Sequence, residues 1–500
     1  MTSQQRLHPV AQQASPSNRR SRRFFIETWG CQMNELDTQR MTGQLMQQGL
    51  LPTRDPDEAD VVLLNSCSVR EKAAQKAYSR LGSFRAAKRH ADREGTHGEH
   101  RLMIGFCGCV AQQEGEAALR RLPELNFVLG PARVGELADI LRRCETGERV
   151  VATGFPEDRD YDLDSISREG EYKGMVTIIE GCNKNCTFCI VPTTRGPERS
   201  RRIEDILREV QHLLDYGFVE IELLGQTVNH WRDPERPELD FADLLEAVSA
   251  LPGLERLRVV TSYPRDFTPR MVEQMGRQPN ICPYLHLPVQ SGSNTVLRRM
   301  GRGYTVEAYR DLVRQLRVAR PGLALSTDLI VGFPGETEED FQATLRLVEE
   351  TRFSSLYAFC YSPRPGTAAP RLGGEIDPEV ASRRLQDLLG LQESIQRELN
   401  AALVGEEMEV LVTGPGKEAG SYNGRTTCHR IVHFSSEEPL RLGSLTRVRI
   451  ERAFPHSLVA EHLAEEHPPA ALRSPASFPG SEPPRGDGDS GRASLLPVIR

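Results

Sequence analysis

The sequence lacks long apolar runs, because no stretch approaches the roughly 18 consecutive apolar residues of a membrane-spanning helix. Cysteine is also sparse: eleven in 500 residues, an odd count far below the density of a disulfide scaffold. No hydrophobic signal segment opens the chain, so we expect a reducing, cytoplasmic location without membrane attachment. In that setting, clustered cysteines indicate metal binding or catalysis more often than disulfide bridges.

Composition bounds the fold. With 38% apolar and 27% charged residues, the chain has the make-up of a soluble globular protein. A net charge of −7 argues against a nucleic-acid coat over the whole surface but leaves room for a local basic groove. A chain of 500 residues is too long for one core, which predicts about two to four domains.

Alternating strands and helices begin at Arg23 and predict a doubly wound parallel-sheet domain over residues 23–145. The predicted strands are 23–28, 59–65 and 101–106, and the predicted helices are 34–50, 70–84 and a segment from Glu114 onward. Residues 1–22 are rich in arginine and contain no acid, which predicts a disordered basic arm rather than an organellar transit peptide. The polar stretch 90–100 predicts a surface loop, and 146–171 a linker.

A second series of strands and helices, residues 172–402, predicts an incomplete (β/α)6 barrel. Its candidate strands are 175–180, 219–225, 256–261, 284–288, 324–331 and 354–361, and a long helix, 378–402, closes it. Short alternating strands then predict a small β-barrel of oligonucleotide-binding type over 403–465. Abundant Pro, Gly and Ser predict a disordered tail over 466–500.

The segment "EGCNKNCTFCIVP" places Cys182, Cys186 and Cys189 at C-x3-C-x2-C spacing, directly after a predicted strand. Zinc prefers four ligands, and the nearest histidines in sequence are His100 and His212. Three thiolates without a fourth ligand favour a [4Fe–4S] cluster with one open iron, able to bind S-adenosylmethionine; a zinc knuckle is the weaker interpretation. The loop resembles the signature of the radical S-adenosylmethionine superfamily.

Other strand ends of the central domain provide candidate cofactor contacts, because barrel sites form at the carboxyl ends of strands. They carry "LLGQTVN", "TSYPRDF", "LHLPVQSGS" and "VGFPGET". Two glycines there would allow close approach of a ligand to the backbone. The candidate S-adenosylmethionine contacts are Gln226, Ser262, Gln290, Gly332 and Gly335.

Three further cysteines each follow a predicted strand of the N-terminal sheet: Cys31, Cys67 and Cys109. Because parallel strands share one carboxyl edge, these loops should converge and hold a second, auxiliary cluster. Cys107 is the alternative to Cys109 as the third ligand. The remaining cysteines lack such a context and are interpreted as packing residues: Cys144, Cys282, Cys360 and Cys428.

Over residues 23–460 the chain resembles the methylthiotransferase family, on "TWGCQMNELD", "NSCSVREKA", the Cys182 loop and "DLIVGFPGETEEDF". The C-terminal segment is similar to a TRAM domain. The resemblance implies two [4Fe–4S] clusters and two molecules of S-adenosylmethionine. One donates a methyl group to sulfur at the auxiliary cluster, and the other is cleaved to a radical that removes hydrogen from carbon 2 of an adenine.

Within that family, "TWGCQMN" and "LLGQTVN" resemble the branch that modifies isopentenyladenosine at position 37, beside the tRNA anticodon. Thr193, Thr227 and His429 depart from the common pattern. The resemblance implies as partners a tRNA anticodon stem-loop, an electron donor such as flavodoxin or ferredoxin, and an iron–sulfur carrier protein; we expect a monomer. A ribosomal-protein aspartate methylthiotransferase and an iron–sulfur electron carrier with an RNA-binding module are the alternatives.

Basic residues offer two candidate RNA contacts. "RGPERSRR", residues 195–202, contains four arginines and one acid and could meet phosphates beside the radical cluster. A second group decorates the C-terminal barrel: Arg425, Arg430, Arg447, Arg449 and Arg452. A solvated charged face explains that second group equally well.

Overall fold

The computed structural model describes residues 21–68, 71–94, 102–156, 166–167 and 172–463. They form three domains in the order expected from the sequence. Most of the expected basic arm, half of the expected linker and all of the expected disordered tail lie outside these residues. Within the described ranges, no helix is both long and apolar enough to span a membrane.

The N-terminal domain is a six-stranded parallel sheet covered by helices, as expected. Its strands are β1 (Arg23–Trp29), β2 (Leu51–Pro52), β3 (Val61–Ser66), β4 (Met103–Gly108), β5 (Phe127–Leu129) and β6 (Val150–Ala152). Its helices are α1 (Gln32–Gln47), α2 (Glu71–Glu94), α3 (Cys109–Glu114), α4 (Glu116–Arg121) and α5 (Leu137–Glu145). The order β2-β1-β3-β4-β5-β6 is doubly wound. Because β6 pairs with β5, the sheet continues past residue 145 into the expected linker.

Apolar strands hold this sheet between two cores. Leu63 packs with Met41 and Leu137 on one face, and Val62 packs with Tyr78 on the other. Successive side chains of a strand point to opposite faces, so a strand covered on both sides reads as a continuous apolar run. The run "VVLL" at the start of β3 is such a case, and each residue in it is buried.

The central domain contains six parallel strands that form an open barrel, as expected. They are β7 (Lys173–Thr177), β10 (Glu220–Leu224), β11 (Arg256–Val259), β12 (Tyr284–His286), β13 (Ala324–Val331) and β14 (Ser355–Cys360). The expected strand 175–180 is interrupted after Thr177. A two-stranded hairpin follows, made of β8 (Ile179–Glu180) and β9 (Arg199–Ser200).

Helices surround the open barrel and alternate with its strands. They are α6 (Val191–Thr194), α7 (Ile203–Asp215), α8 (Phe241–Ser249), α9 (Pro269–Arg277), α10 (Asn294–Arg299), α11 (Val306–Ala319), α12 (Glu338–Thr351) and α13 (Pro378–Ala401). Local sequence fixes several starts: Thr337 and Asp340 form a capping box at α12, which satisfies otherwise unpaired backbone N–H groups.

The barrel is open on one side. β7, β10 and β11 form one sheet, β12, β13 and β14 form another, and a bridge between Leu257 and Ile281 joins them. The edge strands are therefore β7 and β14, and among the described residues no backbone ladder connects these two strands. The gap gives lateral access to the barrel interior.

The C-terminal domain is a closed five-stranded barrel, as expected. Its strands are β15 (Glu407–Pro415), β16 (Ser421–Thr426), β17 (Ile431–Ser435), β18 (Leu445–Ala453) and β19 (Leu458–Leu463). The segment "NGRTTCHRIVHF" contains β16 and β17, which are separated by a turn where His429 has φ +71°. Asn, Asp and His are the non-glycine residues enriched in this left-handed conformation.

Two buried arginines of β11 fasten this small barrel to the central domain. Arg256 forms an ion pair with Glu409 at 2.7 Å and donates to the carbonyl oxygen of Arg425. Arg258 donates to the carbonyl oxygens of Thr426 and Thr427 at 3.0 and 3.1 Å. The C-terminal barrel is thus held through its backbone at the β16–β17 turn.

Candidate metal centres

The N-terminal triad of thiols lies at the carboxyl edge of the first sheet. Cys31 follows β1, Cys67 follows β3, and Cys109 is the first residue of α3 after β4. These three strands are neighbours in the sheet. The Cys67 thiol is hydrogen-bonded to the sulfurs of both Cys31 and Cys109. Three cysteines distant in sequence therefore meet, as the sheet argument predicted.

Electrostatics favours the thiolate at two of these positions. The hydrogen bond from Cys67 is the main cause that lowers the pKa of Cys31 to about 7 and that of Cys109 to about 6; the Arg195 charge lowers both further. The pKa of Cys67 is raised, because its thiol shares its proton with the other two sulfurs. Thiolate is the form that binds metal.

Cys107 occupies a different environment from Cys109. It lies inside β4, is 1% exposed, and packs in the apolar cluster that contains Phe127 and Leu129. Burial raises the pKa of its thiol. Cys107 lies within the strand and packs in the core, whereas Cys109 lies past the strand end, at the start of α3, beside Cys67.

The second triad lies in the loop after β8. The backbone N–H of Cys189 donates to the carbonyl oxygen of Cys186, and that of Cys182 donates to Gly196, which folds the loop. Burial raises the pKa of Cys182, and that of Cys189 to about 12. Arg302 donates from Nη1 to the sulfur of Cys186 at 3.4 Å. Each triad thus has one buried arginine beside it.

The donor chemistry of both triads suits iron–sulfur clusters. Within the described ranges, no three or more His, Cys, Asp or Glu side chains are grouped so that they could hold a single metal ion. A cubane cluster instead offers a separate iron to each thiolate, and each triad consists of thiols alone. A structural zinc site takes four ligands around one centre and calcium takes six to eight oxygens, so three thiols alone complete neither site.

The expected S-adenosylmethionine contacts fall into two groups. Gln226 follows β10 and Ser262 follows β11, and their buried oxygens, Oε1 and Oγ, have no hydrogen-bond partner within the described residues. A buried polar atom without a partner costs about 1–3 kcal/mol, which a ligand contact would remove. Gln290, after β12, is 8% exposed and has φ +73°.

Contacts and backbone angles within the protein are sufficient to require glycine at positions 332 and 335. Both have positive φ, +68° and +81°. A Cβ on Gly332 would lie 2.6 Å from Ala381, and one on Gly335 would lie 2.8 Å from the Arg299 guanidinium. The Gly332 N–H donates to Glu336 at 2.7 Å. Helix packing therefore already accounts for two residues that the sequence assigned to a cofactor.

A cavity of about 1040 Å³ links the first triad to the C-terminal barrel. Cys31 and Cys67 line one end, and Arg425 and His429 line the other. Between them the wall is formed by residues of both edge strands, so the cavity occupies the lateral gap. Its volume lies at the upper end of the range of about 300–1,000 Å³ that is typical of ligand pockets.

Comparison with known proteins shows the family. Family models match "Uncharacterized protein family UPF0004" over residues 23–130, the radical SAM superfamily over 176–348 and the TRAM domain over 401–463. Curated relatives named "tRNA-2-methylthio-N(6)-dimethylallyladenosine synthase" include one from Pelobacter propionicus, 45% identical, covering 88% of this chain and 98% of its own. Those from Geobacter sulfurreducens and Myxococcus xanthus are each 42% identical, covering 89% and 93% of this chain and 98% of their own. This chain belongs to the tRNA-2-methylthio-N(6)-dimethylallyladenosine synthase family.

Two of the four arginines in segment 195–202, which the sequence offered as phosphate contacts, are buried in ion pairs. Arg195 is paired with Asp37 at 2.8 Å and Arg201 with Glu209 at 2.6 Å, and all four side chains are buried. Their charges are neutralised inside the protein. Sequence alone could not distinguish these buried pairs from a solvated basic surface.

Four of the five candidate arginines of the C-terminal barrel separate into two groups. Arg425 and Arg430 line the cavity. Arg447 and Arg449 lie away from it and both pair with Glu407, at 3.2 and 2.9 Å. Only the first pair is placed to contact a nucleic acid inside the lateral gap.

The residues that depart from the common family pattern have defined contacts in two of three cases. Thr227 donates to Glu198 Oε1 at 2.9 Å, next to the loop that contains Cys182. His429 stacks on Tyr284 of β12, with ring centroids 4.7 Å apart. Thr193 is exposed at the surface. His429 therefore acts as a second link between the small barrel and the central domain.

Proposed function

We propose that the protein converts N6-isopentenyladenosine at position 37 of tRNA, beside the anticodon, to 2-methylthio-N6-isopentenyladenosine. The observation that carries this proposal is the pair of cysteine triads combined with relatives of that name at up to 45% identity over 88% of the chain. A ribosomal-protein substrate is not favoured, because the relatives are named for a tRNA product.

The residues that would hold the cofactors are the six triad cysteines and two orphaned polar side chains. Cys31, Cys67 and Cys109 would hold an auxiliary [4Fe–4S] cluster, and the triad of the Cys182 loop a second one. Gln226 and Ser262 would contact S-adenosylmethionine there. The chemistry that the bound groups supply is reductive cleavage of S-adenosylmethionine and delivery of methylated sulfur to carbon 2 of the adenine.

The protein's own part is to admit, orient and shield the base. An anticodon loop is single-stranded, so its target base can be splayed out and stacked on aromatic side chains. Trp29 lines the cavity beside Cys31, and Tyr357 on β14 is 51% exposed within the gap. Arg425 and Arg430 at the opposite end would meet the phosphates of the loop.

Two of the three acidic residues that line the cavity are paired with cations. Glu222 pairs with Lys173 at 2.5 Å, and Glu220 pairs with Arg258 at 2.9 Å. Both carboxylates are buried at the start of β10. The two arginines that line the cavity are Arg425 and Arg430.

The remaining partners follow from this chemistry. Radical cleavage needs single electrons, which a flavodoxin or ferredoxin would supply, and an iron–sulfur carrier protein would load the clusters. Acting on tRNA with such donors places the protein in the cytoplasm. One chain contains both triads and the small barrel, so a monomer is sufficient for the reaction.

The test uses anaerobically reconstituted protein, a reductant, S-adenosylmethionine and one of three substrates. These are an isopentenylated anticodon stem-loop, the same stem-loop with plain adenosine, and a ribosomal peptide containing aspartate. Mass spectrometry should find a methylthio addition only on the isopentenylated RNA. Cys189→Ala should abolish it, whereas Cys282→Ala, a buried cysteine outside both triads, should not. Methylthiolation of the peptide instead would refute the proposal.

A further inference from the structure

A residue of the central domain completes the N-terminal triad. Arg195 lies just after α6, close in sequence to Cys189, yet its guanidinium lies among residues of α1. Nη2 is 2.8 Å from Asp37 Oδ2 and 3.3 Å from Asn34 Oδ1. The side chain is 5% exposed, so its charge is compensated by protein groups rather than by water.

Asn34 fixes the position of that guanidinium relative to the thiols. Its Oδ1 accepts from Arg195 and also from the Cys31 thiol at 3.5 Å. Its Nδ2 donates to Asn65 Oδ1 at 3.0 Å, and Asn65 in turn donates to the Asn34 carbonyl oxygen and to Thr38. One side chain thus joins a sulfur of the triad to an arginine of the other domain.

The Arg195 guanidinium offsets negative charges buried at this site. Asp37 already offsets part of the Arg195 charge, and ionised thiols add further negative charge to a site shielded from water. Arg195 and Asp37 lie 2.8 Å apart, and their side chains are 5% and 2% exposed. Removing Arg195 would leave buried anions without their nearby cation, which is the costly way to break a buried pair.

We propose that Arg195 is a positioning residue that couples loading of the auxiliary cluster to docking of the N-terminal domain on the central domain. The anionic cluster stabilises the docked guanidinium, and the docked guanidinium stabilises the cluster. Such coupling is reciprocal, since each partner must strengthen the other by the same factor. The proposal rests on the auxiliary cluster assigned under the proposed function.

The test isolates the auxiliary site by replacing Cys182, Cys186 and Cys189 with Ala, so that only the first triad can bind iron. In this background we compare the parent with Arg195→Lys, Arg195→Gln and the control Arg199→Gln. Arg199 belongs to the same segment but donates only to the Pro156 carbonyl oxygen among described contacts. The readouts are the midpoint potential, followed by electron paramagnetic resonance, and hydrogen exchange of peptides from α1 and from residues 191–201.

In the parent and the control, cluster loading should slow hydrogen exchange at least tenfold in both peptides. Arg195→Gln should lose that protection and lower the midpoint potential, because one-electron reduction adds a negative charge that no cation then offsets. Arg195→Lys should restore most of the potential and only part of the protection, because it keeps the charge but not the planar fork.

Two results would overturn the proposal, and they are distinguishable. Full iron content with the same potential and the same protection in Arg195→Gln as in the control would refute the coupling alone. Absence of iron from the parent with the triple replacement would refute the auxiliary cluster and hence the function assigned to it. If Arg195→Gln does not fold, Arg195→Gln with Asp37→Asn leaves no unpaired buried charge and should still lose the protection.

Discussion

Replacing Arg258 with Met should detach the C-terminal barrel from the central domain. The Arg258 side chain is 2% exposed and lies 2.9 Å from Glu220, which is 4% exposed. After the replacement, the nearest remaining cation to that carboxylate is Arg256 at 3.9 Å, and the carbonyl oxygens of Thr426 and Thr427 lose their donor. Breaking a buried ion pair costs about 3–5 kcal/mol. We expect the loss to fall largely on docking of the small barrel.

Hydrogen exchange measured by mass spectrometry is the suitable assay, because it reports β16 and β17 separately from the rest of the chain. A cost of about 3 kcal/mol corresponds to exchange faster by roughly a hundredfold, since each 1.4 kcal/mol is about tenfold. Arg449→Met, which breaks only an exposed pair with Glu407, is the matched control and should change exchange little. Adding Glu220→Leu to Arg258→Met should recover part of the loss. Unchanged exchange in Arg258→Met, or no recovery in the double variant, would refute the reasoning.

Three further outcomes are expected. Cys109→Ala should reduce the iron content of reconstituted protein from about eight to about four per chain, whereas Cys107→Ala should leave it near eight, measured by iron analysis. In iron-free protein, thiolate absorbance should rise with pH around the lowered pKa values of Cys109 and Cys31, about 6 and about 7, because thiolate forms above each pKa. Cys109→Ser should remove the step at the lower pH. A single rise in absorbance near pH 9 would contradict this prediction. Arg425→Gln should weaken stem-loop binding and reduce the slope of log affinity against log salt by about 1, while Arg449→Gln should change neither.

The long strands of the first sheet could be predicted from the sequence because they are buried on both faces and read as apolar runs. The strands of the C-terminal barrel could be predicted because buried and exposed residues alternate along them. The exceptions are short or interrupted elements. β5 and β6 have three residues each, too few to show a period, so the first domain ends later than its pattern indicated. The helix expected from Glu114 onward corresponds to α4, and a separate short helix, α3, precedes it, with Gly115 at φ +49° between the two.

The triads could be predicted because cysteines recur at matched positions after strands, which is a local signal. The arginines beside them could not. Arg195 is 161 positions from its partner Asn34, and a buried arginine looks in sequence like a solvated one. Neither the partner of Arg302 nor its burial could be predicted, since its contact with Cys186 depends on how the barrel strands pack together. Ion pairs between residues far apart in the chain depend on tertiary packing, so they produce no periodic pattern in the sequence.

The open side of the central barrel also determines how little of a tRNA must be unfolded. A closed barrel would accept a nucleotide only end-on through its mouth, so a hairpin would have to be threaded or melted. With β7 and β14 apart, a loop can enter sideways while its base-paired stem remains outside and intact. The energetic cost is then limited to unstacking a few loop bases, a few kcal/mol for the extruded one. A mature, fully folded tRNA can therefore be a substrate without a helicase or a chaperone to open it.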